Sequence, residues 1–412
     1  MTTSPRVSPH IGKPRLCILI GADTFAPEIN GAASFTERLA AGLTERGHDV
    51  HVAAPAYSNR KRGALREVFE GQEFTVHRIY SWRWFPHPWL RFAVPWRIKQ
   101  NSAKILDLVK PDVIHFQSHV IIGRGLTIEG AKRGIRLIGT NHFMPENLLE
   151  YTLIIPNFLR KWSIRTAWRA ADRSFRRAEA VTTPTQRAAD YLEGNTSLKH
   201  VYAISCGIEA HNYVADLSPR TENLIVFLGR VVDEKQIDKL IRAVARLDRD
   251  LDARLEIVGG GDQENNLKNL ATTLGIRDRV TFSGYVEESY LRKALTRAKV
   301  FAMPSIAELQ SISTMEAMAS GLPIVAADAM ALPHLVHDGE NGFLFEPGNV
   351  EDLAAKLTTV LTMPEDELLR FRHESLQIVE SHDIQRTLDI FESLYRGEPI
   401  EDAAALALDS VD

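Results

Sequence analysis

Cysteine is scarce in this 412-residue chain: Cys17 and Cys206 are the only two, each inside an apolar, strand-like run. Two isolated thiols build neither a disulfide framework nor a zinc site, so both read as core packing. Long hydrophobic runs are also missing. No window approaches the roughly 18 consecutive apolar residues of a spanning helix, and residues 1–10 lack the apolar centre of a signal peptide. The expectation is a cytoplasmic protein. No G-x-G-x-x-G follows the first strand-like run, which disfavours a dinucleotide-dependent oxidoreductase. No Asp-x-Asp pair falls at a strand end, and no internal repeat or long low-complexity linker appears.

What is present is an ordinary globular composition, 44% hydrophobic and 25% charged, at a length that suits two domains of ~100–200 residues each. The net charge of −4 hides an asymmetry. Residues 1–200 hold 29 Lys and Arg against 17 Asp and Glu, leaving the first half near +12 and the second near −16. One domain is therefore expected to face something anionic.

Apolar runs at Arg15–Gly21, Asp49–Ala53, Val113–Phe116, Leu137–Thr140 and Ala180–Thr183 alternate with helical stretches. After Cys206 the pattern restarts at Leu224–Leu228, Leu255–Val258, Val280–Phe282, Val300–Met303 and Pro323–Ala326. Such alternation predicts α/β domains with parallel sheets covered on both faces. The expected divisions are a flexible N-terminus (1–14), an N-terminal doubly wound domain (15–205), a C-terminal one (206–380), a C-terminal helix (381–397) returning to the first domain, and an acidic tail (398–412). Ligands bind such sheets at the carboxyl ends of strands, so chemistry is sought in the loops that follow them.

The most specific stretch follows the Val300–Met303 run and reads Glu308-Leu-Gln310-Ser311-Ile312-Ser-Thr-Met-Glu316, ending at Gly321-Leu-Pro323. A helix starting near Ser311 offers free backbone N–H groups and its dipole to a diphosphate. Glu308 and Glu316 are placed to accept hydrogen bonds from sugar and ribose hydroxyls. Gly229-Arg230-Val-Val-Asp-Glu234-Lys235 ends one strand, putting a guanidinium and an ammonium together. Gly259-Gly-Gly261-Asp262 and Ser283-Gly284-Tyr285-Val286 end the next two. In the first half, Asp23 and the Phe25-Ala-Pro27-Glu-Ile-Asn30-Gly31 loop follow the first strand, and Thr140-Asn141-His142 ends another.

Together these stretches resemble the E-x7-E signature and companion motifs of glycosyltransferase family 4, retaining enzymes of the GT-B fold with two Rossmann-like domains facing a central cleft. The resemblance spans Arg15 to about Tyr395 and is more specific in the C-terminal half. It implies that Arg230 and Lys235 neutralise the departing diphosphate, that Glu308 and His142 contact the transferred sugar, and that Gly31, Gly229, Gly259, Gly261, Val286, Gln310, Ser311, Ile312 and Glu316 hold the donor. It further implies a nucleotide-diphosphate sugar as substrate, no cofactor and no metal. Ser311 departs from the glycine common at that position.

Acceptor recognition is expected from Asp23 and from residues 82–97, which carry Trp82, Trp84, Trp89 and Trp96. Trp162 and Trp168 lie in the Arg-rich stretch Arg160–Arg177. Tryptophan with arginine suits an anionic membrane interface, which predicts peripheral membrane contact and a lipid acceptor such as diacylglycerol or a glycolipid precursor. Core or interdomain packing of these rings, with a soluble acceptor, is the competing reading. Pro86, Pro88 and Pro95 exclude one long helix across the region. Nucleic acid is not an expected partner.

Overall fold

The structure is a computed structural model that describes residues 13–28, 30–58, 60–83, 91–143 and 157–400, without the side chains of 157–160. The chain divides into two compact units, Met1–Ile204 with Leu388–Asp412, and Ser205–Thr387.

In the first unit, β1 (Cys17–Gly21), β2 (Asp49–Pro55), β3 (Gly63–Phe69), β4 (Gln72–Ile79), β7 (Val113–Phe116), β8 (Arg136–Thr140), β9 (Ala180–Thr183) and β10 (Tyr202–Ala203) form one sheet, ordered β10-β9-β8-β7-β1-β2-β4-β3. Every pairing is parallel except β3 with β4. The five strands expected from apolar runs are all here, because a strand covered on both faces must be apolar throughout. The edge strand β3 was not expected: exposed and half-buried residues alternate along it, and a turn with positive φ at Glu70 and Gly71 returns the chain into β4. A short antiparallel ribbon, β5 (Ser81–Arg83) with β6 (Arg91–Ala93), follows.

The second unit is a six-stranded, all-parallel sheet of β11 (Leu224–Leu228), β12 (Arg254–Val258), β13 (Val280–Gly284), β14 (Val300–Met303), β15 (Ile324–Ala327) and β16 (Gly342–Phe345), ordered β13-β12-β11-β14-β15-β16. In both sheets the winding reverses beside the first strand, between β1 and β7 and between β11 and β14. Loops diverge there and leave a crevice at the carboxyl ends.

The helix Ile384–Arg396 ends within the first unit. Phe391 packs on Phe35 with ring centroids 6.0 Å apart, and the Tyr395 hydroxyl lies 2.6 Å from Nδ1 of the buried His115. A side chain at Gly42 would meet Leu388 Cδ1 at 2.6 Å, so this glycine admits the helix. Among the described residues no helix is long and apolar enough to cross a membrane.

Several titratable groups in this unit are desolvated. Burial pushes His115 down to about 3 and His77 and His119 down to about 4. It pushes the Glu28 carboxyl up to about 8 and Glu37 up to about 7. In the unfolded chain an ordinary histidine is half-protonated at about pH 6.5 and essentially neutral only above about pH 7.5, where the two glutamates govern. Each keeps in the folded state a proton that the unfolded chain has already lost, so stability falls as pH rises toward their folded values. The thermal midpoint is therefore expected to fall between about pH 7.5 and 8.5, and Glu28→Gln should flatten that slope. A midpoint that holds or rises over this interval in wild type would contradict the burial of these carboxyls.

Candidate active site

Three loops at the carboxyl ends of β11, β12 and β13 are laced together by backbone hydrogen bonds. Gly229 N donates to Val258 O at 3.0 Å, Val231 N to Gly260 O at 3.0 Å, and Gly259 N to Gly284 O at 2.9 Å. A side chain at Gly259 (φ +127°) would meet Gly229 O at 2.0 Å, and one at Gly261 would meet Val231 O at 2.1 Å. The sequence reading gave Gly229, Gly259 and Gly261 to the close approach of a nucleotide. The close approach that the structure displays for Gly259 and Gly261 is to the neighbouring loop. Val286 is half-buried against the core, and Tyr285 lays its exposed ring over Gly260, its hydroxyl donating to Gly260 O at 3.1 Å.

Beyond Gly229 the chain makes a 3-10 turn, Asp233–Lys235, that aims Lys235 at the loop after β14. Lys235 Nζ donates to Glu308 Oε1, with the two side chains 13% and 10% exposed. Arg230 pairs with Glu234 at 2.8 Å, and Ile306 N donates to Glu234 O at 3.2 Å, fastening the same two loops a second time. These loops flank the crevice between β11 and β14.

The helix Ile312–Ala319 begins here. Its N-cap, Ser311, has φ 75° and ψ 75° and makes no side-chain capping bond; its Oγ instead lies 2.8 Å from Thr314 Oγ1. Uncapped N–H groups and the positive dipole end make this terminus a place for anionic oxygens. Ile312 is half-buried at the first turn, and Glu316 is buried at the second. Gln310 has partners far away in the chain. Its Oε1 accepts from Cys206 N at 2.8 Å and its Nε2 donates to Ser205 Oγ at 2.7 Å, so the amide pins the start of this unit.

In the first unit, the crevice between β1 and β7 is built around Asp23. This buried carboxylate accepts from Ile122 N at 2.8 Å, from Ile121 N at 3.2 Å and from Ser118 Oγ, anchoring the N-terminus of the helix Ile122–Lys132. These bonds give Asp23 a positioning role in the fold. Burial raises its pKa, against the pull of those hydrogen bonds. Gly31 opens the helix Gly31–Glu45, capped by Asn30 Oδ1 on Ala33 N at 3.0 Å. His142 is half-buried, its Nε2 2.7 Å from Gln117 Oε1 and its ring 5.0 Å from Phe35. Desolvation pushes it down to about 3, so it is neutral at physiological pH. Gln117 escaped the sequence reading, although it directly follows β7, where the strand-end rule points.

Of the tryptophans, Trp82 and Trp96 are exposed, 50% and 65%, and meet edge-to-face at 4.9 Å. Trp84 and Trp89 lie outside the described residues. Trp162 is exposed, but Trp168 is buried beside Tyr191 at 5.7 Å and belongs to the core, not to a surface. Among the described residues, Cys17, Asp49 and His51 could converge on a metal, at the amino ends of β1 and β2, away from these loops. Burial pushes the Cys17 thiol up to about 11, against the thiolate that a metal needs.

Comparison with known proteins bears on both units. The model described as "Glycosyltransferase Family 4" matches residues 29–212, and that described as "Glycosyl transferases group 1" matches residues 213–374. The sulfoquinovosyl transferase of Arabidopsis thaliana is 27% identical over 70% of this chain; the match spans 58% of that protein, less than two thirds of its length. An MMP alpha-(1->4)-mannosyltransferase of Mycolicibacterium hassiacum is 30% identical over 82% of this chain and 87% of its own. The alpha-monoglucosyldiacylglycerol synthase of Streptococcus pneumoniae is 25% identical over 84% and 78%. Among solved structures, the sucrose-phosphate synthase of Thermosynechococcus elongatus superposes with a TM-score of 0.77 at 18% identity, covering 92% of this chain and 98% of that one. This last likeness shows the GT-B fold.

Two expectations follow from the loop geometry. Gly261→Ala should lower unfolding free energy by about 1–3 kcal/mol, the usual cost of forcing atoms into a filled site; a urea midpoint equal to wild type would show that the loops yield. At Ser311, glycine should be tolerated within about 1 kcal/mol, whereas valine, β-branched in the left-handed region, should cost more than that. Equal midpoints for Ser311→Gly and Ser311→Val would refute the strained cap.

Proposed function

The chain belongs to glycosyltransferase family 4, and from that premise we propose that it is a retaining, metal-independent hexosyltransferase that moves glucose or mannose from a nucleotide-diphosphate sugar to a lipid acceptor. That it is a glycosyltransferase follows from the family; the finer assignment is argued from the residues.

The observation that carries the reading is the Lys235–Glu308 pair beside the uncapped Ile312–Ala319 helix. When the bond from the anomeric carbon to the diphosphate breaks, the electron pair leaves with the phosphate oxygen. Lys235, Arg230 and the helix N–H groups provide fixed positive charge where that negative charge grows, the arrangement that stabilises a transition state most. Their cationic chemistry does the work for which other transferases use a divalent ion. Glu308 offers acceptor oxygens to sugar hydroxyls, and Glu316 suits a ribose diol.

No carboxylate in the sequence stands out as a covalent nucleophile, so a front-side route is favoured. The acceptor hydroxyl attacks the face that the diphosphate leaves, a new C–O bond forms as the old one breaks, and the proton passes to the leaving phosphate oxygen. Configuration is retained. Neutral His142, held by Gln117, is suited to hydrogen-bond the transferring sugar without adding charge. The lipid acceptor is supported by the exposed Trp82 and Trp96, by the basic first half, and by likeness to a diacylglycerol-glycosylating relative. These features also support a location at the inner face of the cell membrane.

Glu308→Ala and Lys235→Ala should each lower turnover by at least ~100-fold, the order of losing one key transition-state contact. The assay is UDP or GDP release from a donor panel, in EDTA, with and without a polar-lipid extract. Near-wild-type turnover in a folded variant would remove that residue from the mechanism. Release stimulated only by soluble sugars would transfer the reading to a soluble acceptor.

A further inference from the structure

In the first unit, a pocket of about 490 Å³ lies against the β5–β6 ribbon, walled by Tyr57, Tyr80 and Trp82, floored by Ser81 and edged by Arg83 and Arg91. The ribbon's register puts Arg83 directly opposite Arg91. Side chains so paired share one face, and like charges there repel. Among the described residues, no carboxylate comes within ion-pair distance of either guanidinium. Glu28 accepts the backbone N–H of Arg91 at 3.2 Å through Oε1, while its Oε2 is buried without a partner. With its pKa pushed up to about 8, Glu28 is mostly protonated at neutral pH and supplies little compensating charge.

Arg91 is nonetheless held in place, while Arg83 is exposed across the ribbon from it. Arg91 Nε donates to Ser81 Oγ at 3.0 Å, and Ser81 is itself fixed by donating to Ala56 O at 2.5 Å. The aromatic wall is ordered too, Trp82 Nε1 donating to Tyr80 OH at 3.2 Å and Arg62 stacking 4.2 Å from the Tyr80 ring. A chain gains nothing from two opposed cations in a preformed recess unless an anion joins them there. Guanidinium forks suit tetrahedral oxyanions, and tyrosine and tryptophan faces suit the carbon skeleton attached to one.

We propose that this pocket is an anion subsite that takes a phosphate ester, bridging Arg83 and Arg91, as part of acceptor recognition. The inference rests on the transferase reading above and narrows its acceptor to one carrying a phosphate group. Two sources share that chemistry, a phospholipid headgroup and a free phosphorylated polyol.

The test uses the full chain, with sn-glycerol 3-phosphate followed by tryptophan fluorescence and calorimetry, and flotation on phosphatidylcholine vesicles with and without phosphatidylglycerol. The variants are Arg83→Gln with Arg91→Gln, and Arg66→Gln as a control that removes one positive charge on β3, outside the pocket. Expected is binding of at least one probe that weakens about tenfold or more in the double variant, as for losing a charge-assisted contact, and stays near wild type in the control. Loss confined to vesicles assigns a lipid headgroup; loss confined to glycerol 3-phosphate assigns a soluble ester. Removing opposed charges should leave the fold intact, which circular dichroism checks. Absence of binding to both probes, or equal weakening in the control, overturns the subsite. Nucleotide release by wild type is scored separately: release without phosphate binding sinks the subsite alone, whereas no release from any donor sinks the transferase reading.

Discussion

Lys235 and Glu308 are 73 residues apart in the chain and meet in a place that water scarcely reaches. Taking both charges out of solvent is costly, and their mutual attraction offsets that cost only if each stays where the other needs it. The turn that delivers Lys235 and the loop that delivers Glu308 are therefore bound to one another, and the second fastening through Glu234 holds the same two loops. The start of the Ile312–Ala319 helix inherits its place from this arrangement. A cation, a carboxylate and a helix terminus are thus held together in advance, an arrangement that lowers the ordering any ligand of this crevice would have to supply.

The first unit adds a buried network of neutral groups to its ion pairs, among them Arg46–Glu392 and Arg78–Glu67. His115 links Tyr395 and Thr140, each at 2.6 Å, and Thr140 continues to Thr182 at 2.7 Å. Gln117 lies beside this chain and reaches His142. A buried network of neutral groups that satisfies its members fixes side-chain positions without paying to desolvate a charge. Burial keeps the histidines here neutral far below their ordinary pKa, so His142 can serve as a polar contact of constant charge.

The strands and the crevices were legible in the sequence because buried parallel strands must be apolar from end to end, and loops at their carboxyl ends are where such sheets open. What escaped reading depended on partners distant in sequence. The bonds of Gln310 to Ser205 and Cys206, about a hundred positions earlier, have no local signal in the sequence. Asp23 looks exposed in a polar loop until the helix Ile122–Lys132 arrives over it. Trp162 and Trp168 were grouped by composition, yet six residues along a helix turn the chain through about 600°, leaving the two rings on different faces. That distinction was available from periodicity alone. The β3–β4 pair was hidden because an edge strand with one face in water carries too few apolar residues to stand out.

The helix Ile384–Arg396 gives the order of synthesis a consequence for folding. Phe391 and Tyr395 complete the core around Phe35 and His115, but a ribosome makes them only after all of the residues between Ser205 and Thr387. Domains commonly fold as they emerge, first part first. Here the first part lacks its closing helix until nearly the whole chain exists. During translation the unit that begins earliest is the one that finishes last, and for that interval its apolar flank around Phe35 and Gly42 must wait uncovered or be shielded by something else.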